Sequence, residues 1–551
     1  MMHTARYIRT VVDLRAVQIA NRVWRSVYSP APDLAPAPNC RPVLNSWLMI
    51  AAKPPSIGND FVMEHLHDQH RLSSPEDWNN PLWPRLWLYH LHYFDGLCAE
   101  KTDANCDLLI ERWVRENPPG NGCGWESYPL SRRTVNWVKY VLRGNSLSEL
   151  AVHTLAIQAR YLFSRLEYHL LGNHLLANAT ALVFAGLFFS GKEADRWHRK
   201  GMRILQRQLT EQILPDGGHI ERSPMYHAII LEDLLDVIQL HRIYGLEYPV
   251  EWNKTAREML VWLKVMTHPD GGFALFNDCA LNVAAKTAKL EEYAFRLGIT
   301  LDDAGGGSKW LEDSGYLKVE DGNLVLFFDA GPVGPSYQPG HAHADTFSLE
   351  VSIGAQRLIV DSGTSCYGVS PERLRQRGTA AHNTLSVDGF DSTEVWSSHR
   401  AGRKACVTSL KFSQPPGGQG LALLASHDGF TRCRGVGLHF RRLDVRNGRM
   451  VIEDRLSGTG QHQVGMAFHF HPDITVAAGR EGVFDLKNRE GMFLGSLKMD
   501  NTLRAECEPS TWHPEFGVTK SALKISGTCI GKLPMHFATV LDLAPAVPDR
   551  K

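Results

Sequence analysis

The sequence predicts a multidomain α+β protein in which a helical domain precedes an antiparallel β-sandwich. Residues 80–298 place apolar side chains at three- and four-residue spacing, the period of an amphipathic helix. Beyond about residue 300 the apolar period falls to two, as in 346–354, which indicates half-buried strands. Asn447-Gly448, between two strand-like runs, predicts a two-residue hairpin turn. The chain has 551 residues, more than one compact core accommodates, so two or three domains are expected.

The helical half consists of segments of similar length, joined by short polar or Gly/Pro turns. Many helices with short links indicate stacked antiparallel hairpins, as in an α/α toroid or a solenoid. No strict sequence repeat is visible, so this prediction rests on the number and length of the helices. The clearest predicted helices are 147–170, 174–190, 194–214, 226–244 and 252–267.

The β half follows residues 302–308 (DDAGGGS), which predict a flexible, helix-breaking linker. Several strands with turn signals at short intervals then predict an antiparallel β-sandwich. Further strand-like runs are 356–363, 383–388, 441–456 and 464–471. The predicted domains are residues 1–45, a basic helix with a Pro-rich connector; residues 46–303, the helical domain; and residues 309–551, the β-domain.

Residues 4–27 predict an amphipathic basic helix. Arginines interrupt the segment throughout, so it lacks the unbroken apolar stretch of an export signal, and the sequence by itself predicts a cytoplasmic protein. No stretch of about 18 apolar residues predicts a transmembrane helix. Docking of the helix on its own domain is favoured, with contact to a membrane surface as the alternative.

Charge and cysteine content limit the classes of function. Lys+Arg and Asp+Glu both total 59, so the formal net charge is zero and gives no support for nucleic-acid binding. A local basic groove for an acidic polymer is compatible with these totals. The ten cysteines are scattered without a C-x-x-C pair, which argues against a zinc knuckle or a redox motif and favours free thiols.

Residues 341–345 (HAHAD) carry the strongest chemical signal. Interpreted as a β-strand, the segment places both imidazoles and the Asp345 carboxylate on one face. His343, Asp361 and His382 follow at spacings of 18 and 21 residues, which suit neighbouring antiparallel strands. Zinc accepts two imidazoles and a carboxylate. The sequence therefore predicts a divalent metal site, with a polar network without metal as the alternative.

Two helix starts in the first half carry candidate catalytic residues. Asn173 and His174 either cap a helix or present hydrogen-bond donors to a substrate carboxylate or oxyanion. Tyr226 lies in the predicted first turn of a helix that begins near Pro224, where the helix dipole and nearby cations would favour a phenolate. An ordinary core or surface tyrosine is the alternative for Tyr226.

The segment 125–137 combines aromatic rings with polar side chains. Aromatic rings stack on sugar faces, while Arg and Asn bind acidic and hydroxyl groups. Packing in the helical core is the alternative and explains part of the pattern. The candidate substrate-binding residues here are Trp125, Arg132, Asn136 and Trp137.

Taken together, these segments resemble the heparinase II/III-like family of polysaccharide lyases. The resemblance extends from about residue 80 to the C-terminal strands. It implies an incomplete α/α toroid followed by an antiparallel β-sandwich, and cleavage of uronate-containing polysaccharides by β-elimination. It is carried by GNHLLANA, DGGHIERSPMYH, FND at 276–278, GHAHADTFSLEV, LIVDSGT and RGTAAHNTLSVDG.

The resemblance assigns a role to each catalytic candidate. It makes Tyr226 the proton-transfer residue and His341 its partner across the domain interface, and it places Asn173 and His174 at the substrate carboxylate. One tyrosine would suffice for syn-elimination, whereas Tyr and His would divide the work in anti-elimination. A uronyl C5-epimerase and a non-catalytic glycan-binding or assembly protein of the same fold are the alternative functions.

The resemblance also assigns His343, Asp361 and His382 to a divalent metal, usually zinc, that organises the site. Tyr367 is a candidate for a second catalytic tyrosine, and Arg377 would either bind a substrate anion or structure the turn before His382. Many secreted relatives carry an export signal, so a periplasmic or cell-envelope location is a further expectation. The particular uronate polymer and the oligomeric state are not predicted.

Overall fold

The computed structural model describes residues 2–101, 105–301, 307–413, 421–480 and 482–544. Helices fill the first half and antiparallel strands fill the second, which confirms the predicted fold class. Residues 302–306 of the predicted linker lie outside the described residues. Among the described residues, no helix is long and apolar enough to cross a membrane.

The predicted helix over 4–27 is two helices, separated by a short break. The other helices predicted from helical periodicity are present, and most of their ends lie within a few residues of the predicted positions. The helices are α1 (Met2–Val12), α2 (Ala16–Val27), α3 (Arg85–Tyr93), α4 (Asn105–Glu116), α5 (Ser127–Leu142), α6 (Glu149–Ser164), α7 (Gly172–Phe188), α8 (Lys192–Gln212), α9 (Pro224–Ile243), α10 (Glu251–Val265), α11 (Thr287–Arg296) and α12 (Pro371–Arg377).

Helix α7 lies at the centre of the helical domain. It packs against α5, α6, α8 and α9, and nearly every side chain along it is buried. Helix α9 begins as predicted: Pro224 is its first residue, and the Ser223 hydroxyl accepts a hydrogen bond from the Tyr226 backbone N–H. The first turns of α7 and α9 therefore have fixed positions, and both carry candidate site residues.

The described strands pair antiparallel throughout. The strands are β1 (Val62–His65), β2 (Asp68–Arg71), β3 (Lys309–Leu311), β4 (Tyr316–Asp321), β5 (Leu324–Asp329), β6 (Leu349–Ile353), β7 (Gln356–Ile359), β8 (Leu385–Val387), β9 (Val395–Trp396), β10 (Arg400–Ala401), β11 (Val407–Ser413), β12 (Leu421–His427), β13 (Val436–Arg446), β14 (Arg449–Gly458), β15 (Gln461–His469), β16 (Thr475–Ala478), β17 (Val483–Lys487), β18 (Phe493–Lys498), β19 (Arg504–Trp512), β20 (Lys520–Lys532) and β21 (Met535–Leu543). Three larger sheets have the orders β3-β4-β5-β6-β7, β11-β12-β13-β14-β21-β18-β17-β16 and β19-β20-β15-β8.

The predicted hairpin at Asn447-Gly448 is present. It joins β13 to β14, with Arg446 opposite Arg449, and both turn residues have positive φ, 54° and 72°. A two-residue turn of this kind matches the twist of the strands, and Asn and Gly tolerate the left-handed conformation it requires.

The HAHAD segment is not a strand, and that prediction was wrong. Residues 341–345 lie in the long loop between β5 and β6, without ladder hydrogen bonds of their own. Tertiary contacts to the loop at 276–278, between α10 and α11, decide its conformation: the His343 N–H donates to the Asn277 side chain, and the Asn277 N–H donates to Asp345.

The two domains share an apolar interface. One cluster of buried apolar side chains fills the helical domain and continues into the β-domain through Val360, Trp512 and Phe516. A second cluster lies within the β-domain. The loop carrying 341–345 lies at the interface, where it meets the starts of α7 and α9.

Candidate active site

Asp278 is the centre of a buried polar cluster at the domain interface. Its carboxylate lies 2.9 Å from Nδ1 of His341 and 2.8 Å from Nε2 of His343. Arg373, from α12, donates to both carboxylate oxygens. Burial opposes ionisation of Asp278, but Arg373 and the two histidines outweigh it and hold the pKa of this carboxyl well below its ordinary value.

The ionised Asp278 fixes the tautomer of each histidine. A carboxylate only accepts hydrogen bonds, so His341 donates through Nδ1–H and His343 donates through Nε2–H. His341 is thereby left with Nε2 free, and His343 is left with Nδ1 free. The free Nε2 of His341 lies 3.8 Å from a carboxylate oxygen of Glu221.

Tyr226 lies directly against His341. Their ring centroids are 4.0 Å apart, and the Tyr226 hydroxyl is 3.0 Å from the hydroxyl of Tyr367. Burial, and then Tyr367, raises the pKa of Tyr226 well above its ordinary value. The predicted phenolate is therefore wrong: at the domain interface desolvation outweighs the helix dipole, and Tyr226 is a neutral phenol that can donate a proton.

Asn173 reaches the same cluster through Glu221. Its backbone N–H and its side-chain amide donate to the two oxygens of the Glu221 carboxylate, each at 2.8 Å. Asn173 lies one residue inside α7 and its side chain does not cap that helix. Glu221 thus orients Asn173 on one side and faces His341 on the other.

His174 lies beside Asn173 and is half-buried. Its Nδ1 is 3.3 Å from a carboxylate oxygen of Glu167, and its ring centroid is 4.6 Å from that of Tyr128. Tyr128 is also close enough to Tyr226 to contribute to the raised pKa of Tyr226. The structure therefore brings four predicted residues, Asn173, His174, Tyr226 and His341, to one region.

The three predicted metal ligands lie on the opposite side of Asp278. His382 Nδ1 is 2.7 Å from Asp361 Oδ2, and the rings of His343 and His382 are 5.3 Å apart. The remaining nitrogens, Nδ1 of His343 and Nε2 of His382, are buried and have no hydrogen-bond partner among the described residues.

Those two nitrogens fit a metal ion, because a metal-bound histidine normally gives its other N–H to a carboxylate. Asp278 and Asp361 are those carboxylates here. The sequence predicted Asp361 as a third ligand, but as placed its Oδ2 accepts a hydrogen bond from His382 Nδ1, so it orients that histidine. Among the described residues, no group of three or more His, Cys, Asp or Glu side chains is already arranged to hold an ion.

Comparison with known families accounts for most of the chain. A model of the heparinase II/III N-terminus matches residues 111–295, and a model described as heparinase II/III-like, C-terminal, matches residues 303–533. The chain belongs to the heparinase II/III-like family. The matched ranges contain the whole cluster around Asp278.

Solved structures with this family's fold resemble the chain over nearly its full length. A crystal structure of heparinase III has a TM-score of 0.69 at 16% identity and covers 97% of this chain and 90% of that one. Heparan sulfate lyase HepC from Pedobacter heparinus has a TM-score of 0.57 at 17% identity, covering 96% and 87%. These similarities establish the heparinase fold.

Curated relatives of two kinds are similar in sequence. A heparin-sulfate lyase from Bacteroides stercoris is 28% identical over 271 residues, which are 44% of this chain and 38% of that protein. FtsZ-localized protein C from Caulobacter vibrioides is 28% identical over 478 residues, covering 80% of this chain and 79% of that protein. The chain thus spans less than half the length of the lyase and most of the length of the other relative.

Within this heparinase-like fold, the aromatic residues of segment 125–137 that were predicted to bind substrate lie in the core. The indoles of Trp125 and Trp137 are buried and present no ring face to a sugar. Asn136 is also buried, and its amide donates to the Tyr93 carbonyl and to Asp95. The core-packing interpretation of these three residues fits the structure, and a sugar-binding role does not.

Neither predicted arginine is free to bind an anion. Arg132 donates to Asp233 at 2.7 Å within the helical domain, so its charge is already paired. Arg377 is buried and donates to the carbonyls of Ala342 and Ser398. Arg377 therefore has a structural role, but it holds the loop that carries His341 and His343, whereas that role was predicted at the turn before His382.

Sequence reasoning assigned no role to Asp278, Arg373 and Glu221, although they orient the predicted catalytic residues. Asp278 and Glu221 belong to the FND and DGGHIERSPMYH segments, so a signal was present without a role attached to it. Tyr367, a candidate second catalytic tyrosine, contacts the Tyr226 hydroxyl. The Arg373 guanidinium lies 4.9 Å from the Tyr367 ring.

Proposed function

We propose that the protein is a polysaccharide lyase that cleaves an acidic, uronate-containing glycan by β-elimination. The observation that carries the proposal is the contact between the ring of Tyr226, a neutral phenol, and the ring of His341, whose tautomer Asp278 fixes. A proton donor and a proton acceptor then lie side by side, as elimination requires. The heparin-sulfate lyases among the relatives support this class of reaction.

Within the substrate, the reaction breaks the C5–H and C4–O bonds and forms the second bond of a C4–C5 double bond, while one proton goes to His341 and another comes from Tyr226. Nε2 of His341 takes the C5 proton of the uronate, and the electron pair of that bond forms a C4–C5 double bond. The C4–O bond breaks, and the Tyr226 hydroxyl gives its proton to the departing glycosidic oxygen. Tyr367, 3.0 Å away, provides a hydrogen-bonded route by which Tyr226 regains a proton.

The C5 proton is weakly acidic, so the substrate carboxylate must be stabilised while charge develops. Asn173 and His174 act there as hydrogen-bond donors, and spread of the charge into the carboxylate lowers the barrier. Glu221 holds the Asn173 amide in position through its 2.8 Å hydrogen bond. This division of roles follows from the neutral state of Tyr226; in the alternative, Tyr226 transfers both protons.

We also propose that a divalent metal, such as zinc, is held by His343 and His382. Asp278 orients the His343 ring, and Asp361 orients the His382 ring. Its contribution would be to fix the loop that carries both His341 and His343, so that the ion organises the site. The pair of unpartnered buried nitrogens supports this assignment.

The deciding experiment is a panel of uronate glycans incubated with the purified protein. A lyase releases an unsaturated uronate, which appears as new ultraviolet absorbance. Tyr226→Phe should lower the rate by about 10²–10⁴-fold. Tyr244→Phe is the matched control, because Tyr244 directly follows the same helix and its buried hydroxyl has no hydrogen-bond partner among the described residues.

Two outcomes would count against the lyase. Absence of absorbance across heparan-, chondroitin- and alginate-type polymers would reject elimination. Solvent deuterium at C5 without chain shortening would identify a uronyl C5-epimerase, which uses the same proton abstraction.

A second candidate is a non-catalytic glycan-binding or assembly protein with the same fold. It is favoured by the match to FtsZ-localized protein C, which extends over 79% of that relative. Glycan binding that survives in Tyr226→Phe and His341→Ala, with no product from either variant or from the unmodified protein, would support it.

A further inference from the structure

The first two helices dock on the protein with the polar face inward. In a globular protein an amphipathic helix ordinarily buries its apolar face and exposes its polar face. Helices α1 and α2 do the opposite. Their polar side chains make most of the contacts with the two domains, and their large apolar side chains are largely exposed, although the Tyr7 ring also packs on Trp396 with centroids 4.8 Å apart.

Helix α2 shows the inversion along its length. Gln18 is 1% exposed and donates to the Tyr337 carbonyl, and Arg25 donates to the Arg165 carbonyl. On the other side, Trp24 is 54% exposed and Val27 is 75% exposed. The exposed large apolar side chains on this helix and its C-cap are Val17, Ile19, Val23, Trp24, Val27 and Tyr28.

Helix α1 repeats the arrangement on the β-domain. Arg6 and Arg9 both bind Glu394, and the Thr10 hydroxyl donates to the Ala401 carbonyl. Its exposed apolar side chains are Tyr7, Ile8, Val11 and Val12. Both helices thus present several large apolar side chains to solvent, and such a concentration in a soluble protein marks a binding surface.

A basic stripe borders this surface on α8. Arg196, Arg199, Arg203 and Arg207 recur at three- and four-residue spacing and therefore share one face of the helix. Glu211 continues that face one turn on, and it binds Arg15 at the start of α2. The start of α2 thus lies on the same face of α8 as the four arginines.

The stripe is not neutralised by the protein. Within the described parts of the chain, no acidic side chain forms an ion pair with Arg196, Arg199, Arg203 or Arg207. The Arg196 guanidinium lies over the Phe163 ring at 5.5 Å. Free positive charge beside an exposed apolar face is the combination that binds an anionic lipid surface.

We propose that α1, α2 and the basic face of α8 form a docking surface for an anionic lipid bilayer. The apolar side chains enter the headgroup region, and the α8 arginines contact lipid phosphates. Trp24 and Tyr28, whose ring centroids are 4.8 Å apart, have the apolar body and polar tip suited to that depth. The catalytic cluster uses neither helix, so this surface is independent of the proposed lyase.

The test is co-sedimentation of the full chain with vesicles. We expect binding to vesicles that contain phosphatidylglycerol, and several-fold weaker binding to pure phosphatidylcholine or at high salt. Val23→Glu with Trp24→Glu should lower partitioning into the vesicles by about tenfold or more, because two apolar side chains that would be buried in the bilayer are lost. Arg199→Glu with Arg203→Glu should weaken binding to the anionic vesicles alone.

The control is Leu82→Glu, which places one such charge at an apolar residue that is 88% exposed between β2 and α3. It should bind vesicles as the unmodified protein does. All variants replace exposed side chains, so thermal unfolding and rates on soluble glycan should stay unchanged.

Two results would overturn the proposal. One is absence of sedimentation with anionic vesicles. The other is a concentration-dependent dimer that Val23→Glu with Trp24→Glu abolishes, because a second copy would then cover the apolar face.

Discussion

The two histidines of the HAHAD loop are the same residue type, lie two residues apart and bind the same carboxylate, yet they face different surroundings. His341 uses Nδ1 to bind Asp278 and leaves Nε2 on the side of Glu221 and Tyr226. His343 uses Nε2 and leaves Nδ1 facing His382 in a fully buried space. The choice of nitrogen therefore separates the proton-transfer role that we propose for His341 from the metal-binding role that we propose for His343.

This difference shows that Asp278 orients two histidines at once, His341 towards Tyr226 and His343 towards His382. A single ionised carboxylate, held by Arg373, sets the two tautomers in opposite directions. We therefore expect substitutions on one side to leave the other side largely intact, and substitution of Asp278 itself to disturb both.

The largest effect is expected from Asp278→Asn. The variant leaves Arg373 as an unpaired buried charge, so the free energy of unfolding should fall by about 3–5 kcal/mol. Activity should fall by roughly 10³–10⁴-fold, as when another carboxylate that orients a catalytic histidine is lost. Urea denaturation and initial rates measure the two effects. Asp270→Asn is the control, because Asp270 also binds an arginine, Arg357, but no histidine; equal losses there would refute a special role for Asp278.

His341→Ala tests only the side of Asp278 that faces Tyr226 and Glu221. The rate should fall by about 10²–10⁴-fold, because the proposed base is removed. The metal content should not change, since His343 and His382 are untouched. Initial rates together with elemental analysis check both statements. Loss of the metal in this variant would contradict the separation of the two sides.

His343→Gln tests the buried side alone. Elemental analysis should find about one divalent ion per chain in the unmodified protein and little in the variant. Activity should fall by about 10–100-fold, less than in His341→Ala, because the ion only organises the site. A folded unmodified protein without metal would reject the assignment, and His382→Ala provides an independent second variant.

The smallest effect concerns acid stability, which belongs to the fold and not to the site. Burial opposes ionisation of Asp454, but Arg441 and His439 hold its pKa well below the ordinary value. The contribution of Asp454 to the free energy of unfolding is therefore present above its unfolded-state pKa of about 3.9. That contribution is lost as the pH falls below this value. Urea midpoints between about pH 5 and pH 2 should decline in the unmodified protein and decline less steeply in Asp454→Asn; equal slopes would exclude Asp454 as the cause.

Local pattern predicted elements whose stability is local. The segment 226–244 became α9 (Pro224–Ile243), and Asn447-Gly448 became the turn between β13 and β14. Periodicity and turn chemistry act within a few residues, so a single sequence contains enough information for them. The same pattern over 341–345 gave a wrong strand, because partners at 276–278 override the local preference.

Local pattern misjudged the aromatic residues for a related reason. Trp125 and Trp137 suit either a sugar platform or a core, and only the surrounding helices show that both indoles are buried. The protonation state of Tyr226 likewise could not be predicted from the sequence, because desolvation at a domain interface is a property of the assembled fold. Asp278 lay within a recognisable tripeptide, but its role depends on residues 63–95 positions away.

The sequence by itself determined the order of a helical and a β-domain, and it supplied the residues Asn173, His174, Tyr226 and His341. It determined these because helical and strand periods and the chemistry of side chains are properties of short segments. Only the tertiary structure decided which nitrogen of each histidine is free, that Tyr226 is neutral, and that α1 and α2 turn their apolar faces outward. Those features depend on burial and on partners distant in the chain, and packing alone brings them together.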